Sequence, residues 1–476
     1  MASKALGSGL LLGIWLAAIG VAQGQSATAP PDDSLTWHGI TLYGIVDLGL
    51  QYQTHGAPIN DYFPAGSADI VQKNSNKSVT GITPSNLSQS RVGLQGAEPL
   101  GAGWTAVFKL ETFFNPQSGE ISDGLKSLTQ NNGRSLTSQT TNLDTSVAGQ
   151  IFQQSFVGFS NRDFGTLTYG RQNTLLADGI AKYDPNYASQ AFSLIGLSGT
   201  TAGGGDTQDR RLDSSLKYTA TYGGVAHLGL MYKFNGSNGG ANSAFEAQFG
   251  GEAMGASVDA YYVKVKDAIS AASLSAAQVA GLPGLCPDPV PAGGSCVSAS
   301  TSNALSGTIS DNTVYGIMGT YNLGALDVPG APKLFAGYEH IKFANPSTPL
   351  SAGVSDLGGY VLAYINNKAY DNDKVLQVFW AGLRYTVIPN LDLAVAYYGY
   401  KQNSYATGSK AGCSTNEASS CSGTEDAFSF DADYRFTKRF DGYAGIMYTG
   451  VLNGLASGYT LHTTDMNPTI GVRYKF

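Results

Sequence analysis

The chain has 476 residues, a formal net charge of −7, only 13% charged residues, 61 Gly, 27 Tyr and 20 Phe. A charged fraction near half of the about 25% usual in soluble domains excludes an ordinary soluble enzyme, and the modest negative charge excludes a nucleic-acid partner. The same composition suits strands that are apolar on one face only, with aromatic belts at two membrane interfaces.

Residues 1–24 read as a signal peptide. Lys4 supplies a positive start, the run from Leu10 to Ile19 is too short to span a bilayer comfortably, and Ala22 and Gly24 put small residues at the −3 and −1 positions of a cleavage site. The alternative, an uncleaved anchor helix, lacks the length. No other apolar run reaches 18 residues, so the mature chain is expected to be exported. Residues 25–39 form a lead-in, and 40–476 form one domain.

That domain alternates. Leu42, Gly44, Val46, Leu48 and Leu50 oppose Tyr43 and Asp47. Trp104, Ala106, Phe108 and Leu110 oppose Thr105, Lys109 and Glu111. Leu391, Leu393, Val395 and Tyr397 oppose Asp392. Phe428, Phe430, Ala432, Tyr434 and Phe436 oppose Ser429, Asp431, Asp433 and Arg435. A period of two with charges on one side is what a lumen face and a lipid face require. A charge turned to lipid at mid-bilayer costs roughly 2–4 kcal/mol, so register is enforced.

Sixteen strands are predicted, beginning near Ile40, Arg91, Trp104, Gln153, Thr166, Ser214, Val225, Ser243, Ala256, Thr313, Lys333, Val375, Leu391, Phe428, Gly442 and Thr469. Connections after even strands are mostly short, such as Tyr222-Gly-Gly224 and Ile388-Pro-Asn390. Those after odd strands are long: 52–90, 114–151, 172–213, 267–312, 343–374 and 401–427. Short turns on one rim and long loops on the other predict an all-β, transmembrane antiparallel β-barrel with periplasmic turns and extracellular loops. Sixteen strands leave room for an aqueous channel.

The last strand alternates to the final residue. Ile470, Val472, Tyr474 and Phe476 point one way, while Arg473 and Lys475 point to the water-filled mouth. A soluble chain would fray there; a barrel must pair it with the first strand. The four cysteines form two close pairs, Cys286 with Cys296 and Cys413 with Cys421, inside Gly/Ser/Pro-rich long loops. Neither pair has the CxxC spacing of a metal or redox site. In an oxidising compartment they read as two loop disulfides, with free thiols as the alternative.

A pore needs no reaction chemistry; it needs a narrow point with a field across it. The loop at 172–213 offers Asp178, Asp184, Asp206, Asp209 and Asp213, with Lys182, Arg210 and Arg211. The facing wall offers Arg91, Lys109 and Glu111; alternation turns Arg91 inward with Gly93 and Gln95. Lys217, Arg384 and Arg435 are further lumen candidates. For each, the alternative is a solvated rim charge or a loop ion pair. Tyr183 and Tyr187 could instead present aromatic groups to a sugar. No GxSxG or HExxH occurs, the five His are scattered, and neither a metal nor a cofactor is expected.

Several stretches resemble the general porins of Gram-negative bacteria, especially their beta-proteobacterial branch. They are Thr41–Gly49, Ser90–Gly101, Trp104–Glu111, Ser155–Ser160 with Phe164–Gln172, and the terminal Gly471–Phe476. The matches follow family order over nearly the whole mature chain. The resemblance implies a homotrimer whose third extracellular loop folds into each barrel. It places Arg171 at the constriction, where parity alone fails. It also implies that Tyr474 and Phe476 form a signal read by the barrel-assembly machinery. Lipid, lipopolysaccharide, ions and small hydrophilic solutes would be the partners, in a multi-pass outer-membrane location. Gln95, Gln153 and Gln154 stand where the family often carries Arg, which pushes selectivity toward cations, as do the loop acids; Arg91, Lys109 and Arg171 push the other way. The expected function is passive diffusion. The alternatives are a porin selective for a carboxylate or an oligosaccharide, an outer-membrane enzyme, or an adhesin acting through its long loops.

Overall fold

The computed structural model describes residues 35–55, 78–117, 151–197, 210–234, 243–271, 307–345, 371–408, 411–413, 421–456 and 463–476, with a few short pieces between them. The expected signal peptide, Cys296, the Cys286 side chain, Asp206 and Asp209 lie outside the described residues.

Sixteen strands close into one barrel. They are β1 (Ile40–Gln53), β2 (Arg91–Gly101), β3 (Trp104–Phe113), β4 (Phe152–Asn161), β5 (Gly165–Asn173), β6 (Arg211–Tyr222), β7 (Ala226–Lys233) and β8 (Ser243–Ala253), then β9 (Ala256–Ala271), β10 (Gly307–Asn322), β11 (Lys333–Ala344), β12 (Lys374–Ile388), β13 (Leu391–Gln402), β14 (Gly423–Arg435), β15 (Phe440–Asn453) and β16 (Thr464–Lys475). Each pairs antiparallel with its sequence neighbours, and β16 returns to β1 with Ile45 opposite Lys475 and Gln51 opposite Thr469. The seam continues through Phe476: its N–H donates to the Gly44 carbonyl at 3.1 Å, and the Gly44 N–H donates to its carbonyl at 2.9 Å. Closure leaves no edge, which is how strands satisfy their backbone in lipid.

The alternation holds face by face. Phe428 and Phe430 of β14 are exposed on the outside, whereas Asp431 and Asp433 are buried within. Ile470, Val472 and Tyr474 are exposed while Arg473 is buried. Turns follow the expected chemistry: Gly101, Ala102 and Gly103 between β2 and β3 all have positive φ, which glycine supplies at low cost.

Three expectations need correction. First, β10, β14 and β16 begin at Gly307, Gly423 and Thr464, five or six residues before the predicted starts. Backbone pairing continues past the apolar band, where side chains no longer need to alternate. Second, the stretch 52–90 contains paired backbone: Val79–Pro84 extends the second wall strand against Gln53–Leu48. Residues 85–90 then fold inward under the Asp47 carboxylate, which accepts from Leu87 N at 3.0 Å and Ser88 N at 2.7 Å. Third, the inner wall is not polar throughout. Val263, Val265, Val314, Met318, Ile341, Phe343, Leu376, Val378 and Trp380 point inward and form a buried apolar cluster inside the barrel. Period-two alternation sorts outside from inside; it does not say what the inside will pack against.

Candidate functional site

What packs against that apolar wall is the connection between β5 and β6. It contains helix α1 (Leu175–Tyr183) and a one-turn helix α2 (Leu194–Leu197), where the sequence suggested only a loop. Thr174 caps α1, its hydroxyl accepting from Ala177 N at 3.0 Å. Glu246 of β8 accepts from Leu175 N at 2.7 Å and Leu176 N at 3.3 Å, so a carboxylate meets the positive end of the helix dipole. Leu175, Leu176, Ile180 and Tyr183 bury their side chains in the apolar cluster.

Beyond α1 the chain is pinned to strand after strand. Tyr183 OH bonds Asp259 and, at 2.8 Å, Ser257 of β9. Trp380 Nε1 of β12 donates to the Tyr183 carbonyl at 2.9 Å, and Arg384 Nη1 donates to the Pro185 carbonyl at 3.3 Å. Asn186 Nδ2 donates to Ser429 Oγ of β14 at 2.9 Å. Ser189 Oγ and Ala191 N both donate to the Asn86 carbonyl, at 2.9 and 3.0 Å. Inward glycines make the close approach possible. A Cβ at Gly229 would lie 2.8 Å from Leu175, one at Gly382 would lie 2.5 Å from Pro185, and one at Gly445 would lie 2.6 Å from Phe192.

The expected constriction residues divide into groups. Arg91, Lys109, Glu111 and Arg211 come together on the β2–β3–β6 wall. Glu111 is the hub: Arg91 Nη1 lies 3.8 Å and Lys109 Nζ 3.5 Å from its Oε2. Tyr43 OH donates to it at 2.9 Å, as does Gln154 Nε2. The guanidinium groups of Arg91 and Arg211 sit 5.8 and 4.5 Å from the Phe113 ring centre. Arg210, just before β6, joins them. Burial and the nearby Arg91 push it down to about 10, so it stays charged at neutral pH. Four cations therefore face one carboxylate. Tyr43 and Phe113 were not picked as site residues, although alternation already turned Tyr43 inward.

Arg171 and Asp213 form an ion pair beside a break in the β5–β6 register between Gly170 and Gln172; such an irregularity is why parity failed there. Asp178 is neutralised by Lys217, which also donates to the Asn173 carbonyl at 3.0 Å.

Two expected pore residues sit elsewhere. Asp184 is fully buried at the end of α1 and does not line water. It accepts from Tyr398 OH and Ala188 N, each at 2.6 Å, and burial lifts its carboxyl to about 6 despite them. Arg435 pairs with Asp392 and donates to the Pro389 carbonyl at 2.8 Å; it clamps the short turn after β12, the ion-pair alternative for this residue. Arg384 bridges the regions, 3.9 Å from Asp392 and over the Tyr187 ring at 4.9 Å. Tyr183 is held by Asp259 and is not presented to a solute. At the seam, Arg473 is also buried, 2.9 Å from Asp433 and bonded to Asp441, while Lys475 lies 3.0 Å from Asp441. Arg473 ties strands together in place of wetting the mouth. In the loop after β13, Cys413 and Cys421 are joined by a disulfide. Among the described residues no His, Cys, Asp and Glu cluster could hold a metal.

Comparisons with known proteins agree with this architecture. The Gram-negative porin family model matches residues 13–453. The chain is 27% identical over 212 residues to an outer membrane porin protein of Bordetella pertussis, covering 44% of this chain and 46% of that protein. It is likewise 27% identical over 222 residues to outer membrane porin protein 32 of Delftia acidovorans, covering 46% and 47%. The aligned part thus spans about half the length of these relatives. Among solved structures, an anion-selective porin from Comamonas acidovorans is similar with a TM-score of 0.56 at 18% identity, covering 92% of this chain and 99% of that one. OmpT, an outer membrane protein of Vibrio cholerae, follows at 0.54 and 14%, covering 93% and 99%. At such identities the likeness concerns the fold.

Proposed function

Because the chain belongs to the Gram-negative porin family and is a multi-pass barrel of the outer membrane, we propose that it is a channel for passive diffusion of ions and small hydrophilic solutes, working as a homotrimer. The observation that carries this reading is a closed sixteen-stranded barrel whose inner face gathers Arg91 and Lys109 around Glu111, with Arg211 beside them over the Phe113 ring. A barrel of that size leaves an aqueous lumen unless something fills it, and the segment 174–197 fills part of it. The conducting passage runs between that segment and the Arg91–Lys109–Glu111 wall, and this is the constriction.

Its field has a sign. Asp178 is neutralised by Lys217, Asp213 by Arg171, and Asp184 is buried, so none of the described loop acids offsets the wall. Arg91, Lys109, Arg210 and Arg211 against Glu111 leave an excess of positive charge, which concentrates anions and repels cations. The preference is moderate because Glu111 sits among the cations. No residue of the site takes a catalytic role in this reading. Phe476, by completing the seam, serves assembly.

Purified protein in planar bilayers should give stepwise, ohmic conductances in groups of three, with a reversal potential favouring chloride in a KCl gradient. Absence of any conductance would overturn the channel reading. Saturable block by one carboxylate or oligosaccharide would turn it into a substrate-selective porin.

A further inference from the structure

Ser85-Asn-Leu-Ser-Gln-Ser90 is a run of mostly short polar side chains that reads as a surface turn, yet all six residues are buried inside the barrel. Pro84 lies opposite Leu48 and Arg91 opposite Ile45, so six residues stand where Val46 and Asp47 need two partners. The excess turns inward at Ser85, whose φ of 57° is left-handed, a conformation that serine holds only at a cost. A bulge beside a functional site re-aims the residues next to it, and the residue that follows this one is Arg91.

One residue clamps the bulge. The Asp47 carboxylate is fully buried and accepts from Leu87 N and Ser88 N through Oδ2 and from Tyr443 OH, at 2.5 Å, through Oδ1. Its main chain joins in: Asp47 N donates to Ser90 Oγ at 3.0 Å, and the Asp47 carbonyl accepts from Ser85 N at 2.9 Å. Ser90 N donates to Ser85 Oγ at 3.0 Å, which closes the base of the bulge. Room for it comes from Gly49, where a Cβ would lie 2.6 Å from Asn86 Nδ2.

The bulge holds something at each end. At its base the Ser90 carbonyl accepts from Phe114 N at 3.1 Å, which fixes the backbone from which Arg91 reaches toward Glu111. At its tip the Asn86 carbonyl accepts from Ser189 Oγ and Ala191 N, and Leu87 packs with Ala191, Phe192 and Tyr443. Arg91 stands on one side of the proposed passage and Ser189–Phe192 on the other. Both sides therefore hang on the same six residues.

We infer that Asp47 is a positioning residue for the channel: by clamping residues 85–90 it fixes the gap between the Arg91 wall and the segment 174–197, and so the field an ion meets there. The inference rests on the constriction described above. Asp47 itself is fully buried and touches no passing ion.

The test combines hydrogen exchange with planar-bilayer recordings of the full-length protein. Asp47→Ala leaves Leu87 N and Ser88 N without an acceptor. Exchange should then speed about tenfold or more in residues 85–90 and 186–192 together, and the chloride-to-potassium permeability ratio should fall severalfold. Through charge alone, deleting a lumen carboxylate would raise that ratio, so the sign separates positioning from electrostatics. Asp47→Asn keeps one oxygen for the two N–H groups and offers its amide to the Tyr443 hydroxyl, which also accepts; it should stay near wild type in both measurements. The neutral double variant S85A/S90A opens the base of the bulge and should move both measurements the same way as Asp47→Ala, and it carries the test if Asp47→Ala does not assemble. Faster exchange at 85–90 with none at 186–192 overturns the inference, as does a raised permeability ratio or an Asn variant that behaves like Ala. A wild type without conductance would sink the channel reading alone, since exchange still reports whether the two stretches loosen together.

Discussion

Removing one charge from the constriction gives a sharp test of the channel reading. Arg91→Ala deletes one of four cations around Glu111 and leaves that carboxylate held by Lys109, Tyr43 and Gln154, so the local frame should survive. An ion passing about 6 Å from a unit charge in water feels about 0.7 kcal/mol. That enriches an anion about threefold and depletes a cation by the same factor, so the chloride-to-potassium permeability ratio should fall up to about tenfold. The assay is the reversal potential across a tenfold KCl gradient, started at low salt. Repeating it near 1 M should shrink the effect, because the Debye length there is about 3 Å. Glu111→Gln should move the potential the opposite way. If Arg91→Ala leaves the reversal potential unchanged at low salt while the barrel stays folded, Arg91 does not line the conducting path and the proposed constriction is wrong.

Other consequences concern docking and closure. The Asp184 carboxyl is raised from its ordinary 3.8 to about 6 by burial, so the docked segment favours the neutral form. Its stabilisation is full below about pH 4 and is lost as pH rises through about 6, a difference of roughly 2–3 kcal/mol. Hydrogen exchange of residues 184–193, corrected for intrinsic rates, should therefore be slower at pH 5 than at pH 7, and Asp184→Asn should remove the difference. Gly382→Val would drive a side chain into Pro185, costing about 1–3 kcal/mol; single-channel recordings should show a noisier or larger conductance, and an unchanged trace would argue against close packing there. Deleting Phe476 removes both seam hydrogen bonds to Gly44. The yield of heat-modifiable barrel on gels should drop severalfold, while the selectivity of the channels that do assemble stays as in wild type.

The barrel was legible because lipid enforces a local rule. A strand such as Phe428–Arg435 states its own register, and sixteen such statements with alternating connection lengths leave little choice of architecture. Strand ends were less legible, as at Gly307 and Gly423, because pairing outlasts the apolar band. The basic wall was also readable: Arg91, Lys109 and Glu111 lie within 21 positions on two paired strands. The loop residues were not. Asp178 and Asp184 look alike in the chain, yet one is neutralised by Lys217 and the other is buried beneath Tyr398.

The sequence by itself determined that these strands form, which way each faces, where they close and in which membrane they belong, since a period of two and the cost of a charge in lipid are properties of a few neighbouring residues. Tertiary structure alone decided which strands the segment 174–197 packs against. The bonds from Tyr398 to Asp184 and from Asn186 to Ser429 join residues more than 200 positions apart. The glycines that admit Leu175, Pro185 and Phe192 acquire meaning only once the opposite wall is in place. Such contacts depend on the completed shape of the barrel, and no local pattern encodes that shape.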